Sequence, residues 1–116
     1  MTEKILNWVN VCVKKDDEIL LLNRQHDNFK GWIQPGGKVE FPESFFEAAR
    51  RELKEETGLT ALNLELKGIS GFTNPSKKER YVYYDFLCTA FEGQVRGNDH
   101  EGEPKWWKIS ELGQID

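Results

Sequence analysis

Glu52, Glu55 and Glu56 stand at spacings i, i+3 and i+4, which on a helix stacks three carboxylates along one side of about a turn and a half. Like charges are thereby forced together, and at a helix C-terminus the backbone dipole adds further negative charge. Such a placement disfavours the helix unless a cation gathers there. Hard divalent ions such as Mg²⁺ take oxygen ligands of this kind and bring water and phosphate oxygens with them. The chemistry indicated is metal-assisted attack of water on a phosphoanhydride, in which the charge on the phosphates must be neutralised before an oxygen can approach. A second reading stays open: a solvated acidic face relieved by the neighbouring Arg51 and Lys54.

These acids need a helix to present them. Pro42 suits a first helical position and Gly58 suits a left-handed C-terminal cap, so the pattern predicts a helix over roughly 43 to 57. Phe45, Phe46, Ala49 and Leu53 recur at helical spacing as a narrow apolar stripe that would pack on a sheet. Upstream, Gly31-Trp32-Ile33-Gln34-Pro35-Gly36-Gly37 reads as a tight turn. Its paired glycines would let backbone approach a ligand, so a cation could be gripped between helix carboxylates and a loop carbonyl.

The rest of the chain supplies strands. Trp8 to Val13 and Ile19 to Asn23 form a predicted hairpin around a charged turn, and Leu62 to Ile69, Tyr81 to Phe91 and Pro104 to Ile109 read as further strands. One helix between strand groups implies an α/β or α+β domain with a mixed β-sheet, the helix covering one face. At 116 residues, with no internal repeat, the chain is read as a single domain over 1–116.

Charge and cysteine usage exclude several classes. A net charge of −4 provides no basic field for duplex nucleic acid, while a small anionic ligand can still be neutralised locally. No apolar stretch long enough for a signal peptide or membrane span is present, and Cys12 and Cys88 lie in apolar runs without metal-ligand spacing. The expectation is buried free thiols and a cytoplasmic protein.

Residues 37–59, GKVEFPESFFEAARRELKEETGL, complete the pattern Gly-x5-Glu-x7-Arg-Glu-aliphatic-x-Glu-Glu-x-Gly-aliphatic. This stretch resembles the Nudix box, Trp32-x-x-Pro35-Gly36-Gly37 resembles the strand leading into it, and strand order extends the likeness over nearly the whole chain. The resemblance implies an α/β/α sandwich with the box as loop, helix, loop. It implies Mg²⁺ or Mn²⁺ held by Glu52, Glu55, Glu56 and the backbone carbonyl of Gly36. Glu43 and Arg51 become the pair that fixes loop against helix, flanked by the box glycines Gly37 and Gly58. The general base is a box glutamate, Glu55 or Glu56, or a loop acid, for which Glu101 is the candidate.

The resemblance also frames the substrate. Arg24 and Lys38 are the candidate phosphate contacts and Trp106 the candidate base-stacking ring, with Phe29, Trp32, Phe72 and Trp107 also available. The first reading is MutT-like hydrolysis of a nucleoside triphosphate, including an oxidised purine such as 8-oxo-dGTP, to the monophosphate and pyrophosphate. The second is hydrolysis of ADP-ribose or another nucleotide sugar, for which Pro75 is the hint, although a turn proline explains it equally. The third is a catalytically silent nucleotide-binding domain. Ser110-Glu111-Leu112 resembles the start of that fold's second helix. A vestigial or truncated helix there would leave a sheet face bare and favour a homodimer.

Overall fold

The computed structural model describes residues 3–26, 29–96 and 102–114. In chain order the elements are β1 (Lys4–Lys15), β2 (Glu18–His26), β3 (Phe29–Ile33), β4 (Gly36–Lys38), α1 (Phe45–Thr57), β5 (Thr60–Ala61), β6 (Glu65–Asn74), β7 (Glu79–Cys88), β8 (Phe91–Glu92) and β9 (Glu103–Lys108), closed by a 3-10 helix over Ile109–Gln114.

The β1–β2 hairpin turns at Asp16, whose φ is 56°, and the two strands pair only at Lys14 with Ile19 and Lys15 with Glu18. Beyond that point they part, and each recruits its own partners. β1 runs parallel to β7 and antiparallel to β4, and β7 carries β6. β2 lies between β3 and β9, antiparallel to both. The seven-stranded mixed sheet therefore opens into two wings joined at one hairpin, while β5 and β8 pair in a separate two-stranded sheet. Parallel pairing of β1 with β7 requires a long crossover, and α1 lies within it.

Alternation along β1 divides its residues between two faces. Val9, Val11 and Val13 are buried with Phe86 and Cys88 of β7 against Ala48, Ala49 and Leu53 of α1. Trp8 and Asn10 face the other way. Of the predicted helical stripe, Ala49 and Leu53 are core, Phe45 is half-buried and stacks on Tyr84 at 3.8 Å, and Phe46 is half-exposed with its edge against Phe86. Cys88 is buried and Cys12 only partly so; both are free thiols whose pKa values burial pushes up.

Several predicted boundaries move. The helix begins at Phe45 rather than 43, because Ser44 is its cap: the Ser44 hydroxyl accepts from the Glu47 N–H at 3.1 Å and the Glu47 carboxylate accepts from the Ser44 N–H at 2.7 Å. That reciprocal pair satisfies two backbone donors at once, and Pro42 lies two residues before it in a turn, after a cis peptide bond with Phe41. Gly31 to Gly37 is not one tight turn but parts of two strands, β3 and β4. The predicted strand from Tyr81 to Phe91 stops at Cys88, since Asn63 takes over the backbone N–H groups of Thr89 and Ala90. Pro75 sits in the β6–β7 turn. The second helical layer is a 3-10 helix among the described residues, with Glu111 accepting from the Lys108 N–H at 3.0 Å. Among the described residues no helix is long and apolar enough to cross a membrane.

Candidate functional site

The C-terminal half of α1 carries the acids, and one cation organises them. Arg51 donates to both oxygens of Glu43, through Nε at 2.7 Å and Nη2 at 2.8 Å, a two-pronged contact across the loop that precedes the helix. Its Nη1 donates to Glu52 at 2.6 Å and to Glu55 at 3.3 Å, and Nη2 also reaches the carbonyl of Lys38 at 3.1 Å. These acceptors, Glu43 foremost, raise the guanidinium further above its already high pKa. In return Arg51 holds the Glu43 carboxyl at about 2, below its ordinary 4.5. The crowding of like charge is therefore relieved inside the protein. Among the described residues no three acidic, His or Cys side chains are already gathered as metal ligands, and Arg51 stands between Glu52 and Glu55.

The helix stops where its charges need it to. Gly58 takes the left-handed conformation, φ 83°, and returns its N–H to the carbonyl of Lys54. The Lys54 ammonium lies 3.3 Å from the carbonyl of Gly58, a cation at the negative end of the dipole.

β4 forms a wall one strand thick between these acids and a cavity. Gly37 pairs with Val9 and so faces the helix side, where a Cβ would collide with the carboxylate of Glu52. Gly36 pairs with Asn10 on the other face, where a Cβ would strike the Val9 carbonyl and come within 3.0 Å of Asn10 Oδ1. The Gly36 N–H donates to Glu56 Oε1 at 2.8 Å, tying the strand to a glutamate that is itself buried. Neither glycine has a positive φ. Their requirement is close approach on both faces of one strand.

Where the two wings of the sheet diverge lies a cavity of about 460 Å³, a size in the range of small-molecule sites. Trp8, Asn10, Gly36, Gly37 and Tyr83 line it from one wing, and Arg24, Ile33 and Gln34 from the other. Trp8 and Tyr83 lie near-parallel, ring centres 6.3 Å apart. Nε of Arg24 and Nε1 of Trp8 are buried without a hydrogen-bond partner among the described residues. A guanidinium with an unpaired N–H in a concave wall attracts anions.

The predicted site residues thus divide. Glu43, Arg51, Glu52, Glu55, Glu56, Gly36, Gly37 and Gly58 fall in one contiguous region, and Arg24 reaches the cavity. Lys38 is exposed on the same sheet face as Trp8, its cross-strand partner. Trp106 is displaced from its expected place: it packs on the core and stacks on Phe91 at 5.7 Å, outside the cavity lining. Strand alternation sends Trp107 to the other face, against Trp32 at 5.0 Å. Glu101 lies outside the described residues, as does the side chain of Phe29. Sequence reasoning missed Trp8, Asn10 and Tyr83 as cavity residues. The signal was present in part, since Asn10 interrupts an apolar run between two core valines.

A one-helix mixed sheet, with clustered acids behind a diglycine strand and a cleft before it, defines the class: a fold with an acid-lined helix end abutting a small-molecule pocket. The NUDIX domain family model matches residues 6–116, and the chain belongs to that family. It is 31% identical over 108 residues to an ADP-ribose pyrophosphatase of Methanocaldococcus jannaschii, covering 92% of this chain and 64% of the relative. It is 32% identical over 111 residues to an oxidized purine nucleoside triphosphate hydrolase of Danio rerio, covering 96% and 70%. Against a Nudix hydrolase of Bacillus subtilis, YvcI, it likewise spans 66% of the relative's length. Among solved structures, the MutT protein of Bacillus halodurans superposes with a TM-score of 0.81 at 34% identity, covering 95% of this chain and 72% of that one. A MutT Nudix hydrolase of Burkholderia pseudomallei gives 0.82 at 26%, covering 93% and 86%.

Proposed function

We propose that this chain is a metal-dependent pyrophosphohydrolase that cleaves a nucleoside triphosphate to the monophosphate and pyrophosphate. The observation that carries the reading is the position of β4, whose Gly36 and Gly37 line the cavity and also touch Glu56 and Glu52. A ligand seated in the cavity then has its phosphates within one strand's thickness of the acids.

The donor set fits Mg²⁺ or Mn²⁺. Glu52, Glu55, Glu56 and the Gly36 carbonyl are all hard oxygen ligands, and the room that Gly37 leaves for the Glu52 carboxylate is a cradle that any side chain would fill. A divalent cation, when bound, supplies charge neutralisation at the phosphates and acidifies water. The chain's own groups do the rest. Arg51 and Glu43 hold the acids in register, and Arg24, with Lys38 at the rim, contacts phosphate. Glu56 is buried and engaged with backbone, whereas the Glu55 side chain is 56% exposed. Glu55 is therefore the box glutamate placed to take a proton from solvent, with Glu101 the alternative base.

The ADP-ribose pyrophosphatase among the relatives supports a second reading, hydrolysis of a nucleotide sugar at the same acids. Incubation with Mg²⁺ and a panel of nucleoside triphosphates, dinucleotides and nucleotide sugars, with products identified chromatographically, separates the two. Turnover of none of them by folded protein would overturn both and leave a silent binding domain.

A further inference from the structure

Asn10 is a polar residue in a run of valines, and its partner explains what it presents to the cavity. It lies directly opposite Asp85 in the parallel β1–β7 ladder, and its Nδ2 donates to Asp85 Oδ1 at 3.1 Å. On its other side Asp85 faces Gly68 of β6, which has no side chain. Asn10 is thus the side-chain partner to which the carboxylate is directed, among the described residues.

A carboxylate only accepts hydrogen bonds, whereas a primary amide has one accepting end and one donating end. Rotating the Asn10 amide by half a turn would set its Oδ1 against Asp85 and lose the bond. The orientation with NH₂ toward Asp85 is therefore imposed, and Oδ1 turns to the other side, beside Gly36 in the cavity lining. No described residue donates to that oxygen. Gly36 keeps the space in front of it open, since any Cβ there would lie within 3.0 Å of it.

We infer that Asp85 is a positioning residue for ligand selection: by locking the Asn10 amide it offers the cavity a fixed acceptor, so the base bound there is chosen for an amino or ring N–H on its edge. Trp8 and Tyr83 supply the aromatic wall beside that acceptor. The inference rests on the proposal above only in taking the cavity as the base site, and it concerns recognition and not the hydrolytic step.

The test uses the intact chain with adenosine, guanosine and purine riboside monophosphates, the last lacking any exocyclic amine. Calorimetric titration without metal reads recognition alone. A neutral hydrogen bond of ordinary strength predicts that the two donor-bearing nucleotides bind about three- to tenfold more tightly than purine riboside monophosphate. In Asp85→Asn, whose amide can pair with Asn10 in either orientation, that ratio falls toward one, and in Asn10→Leu it disappears. With the corresponding triphosphates and Mg²⁺, the effect of Asp85→Asn falls on KM and not on kcat. A wild-type ratio of one, or a ratio unchanged in Asp85→Asn, overturns the inference. Base preference without turnover sinks the proposed hydrolysis and keeps this inference; turnover without preference does the reverse; binding of none of the three counts against both.

Discussion

The carboxylate of Glu52 occupies the space that a Cβ on Gly37 would need. Strand and helix are thereby locked at one distance, and the acid is held against the wall behind which the cavity lies. Gly37→Ala should force Glu52 or β4 to move. A displacement of about 1 Å at a reacting centre can cost on the order of 10²-fold in rate. A fall of that order in kcat, with a weaker Mg²⁺ requirement curve, is the expected outcome; unchanged kinetics would refute the coupling.

Acid should unpick the loop from the helix through a single group. Arg51 holds Glu43 at about 2, below its ordinary 4.5, so the folded chain binds fewer protons at Glu43 than the unfolded chain between those values. The stabilisation it provides is complete above about 4.5 and is lost as pH falls through about 2. Urea midpoints of the wild type and Glu43→Gln, compared at neutral pH and down this range, should therefore converge in acid. A gap independent of pH would show that charge is not what the pair contributes.

At the other end of the helix, Gly58 combines φ 83° with crowding, since a Cβ there would lie 2.8 Å from both Arg96 Cγ and the Gln94 carbonyl. Gly58→Ala should lower stability by about 1–2 kcal/mol from backbone strain alone, read as a reduced thermal midpoint. The Arg96 N–H also donates to the Thr57 carbonyl at 2.8 Å, so the segment after β8 should loosen with it in hydrogen exchange.

Removing charge from the half-exposed Glu55 should separate chemistry from folding. Its contact with Arg51, at 3.3 Å, is longer than those of Glu43 and Glu52, and an exposed pair of this kind contributes little to stability. Glu55→Gln should melt with the wild type yet lose activity by two orders of magnitude or more, about the range assigned to general-base removal. Chelation of Mg²⁺ should abolish turnover in both. Full activity in Glu55→Gln would remove this residue from the site.

How much of this was legible in the sequence depended on whether the signal was local. The helix and its left-handed stop at Gly58 follow from residues a few positions apart, as does the hairpin at Asp16. The cap at Ser44 was equally readable from Ser-x-x-Glu, and Pro42 drew attention to the wrong position because proline tolerates a helix start without requiring one. Trp106 and Trp107 show the limit more sharply. Alternation dictates that they face opposite sides, yet which side is core depends on β9 pairing with β2 and on Phe91 arriving from elsewhere in the chain.

The sequence by itself determined the acid spacing, the cation among them and the glycines at 36, 37 and 58, because helix periodicity and backbone freedom act over one or two turns. Only the tertiary structure decided that Gly37 opens toward Glu52 while Gly36 opens toward Asn10, that Arg24 meets Trp8 across a cleft, and that Asp85 sets the amide of Asn10. Those relationships join residues up to 75 positions apart, and they exist because β1 leaves β2 after two residue pairs and runs parallel to β7 instead.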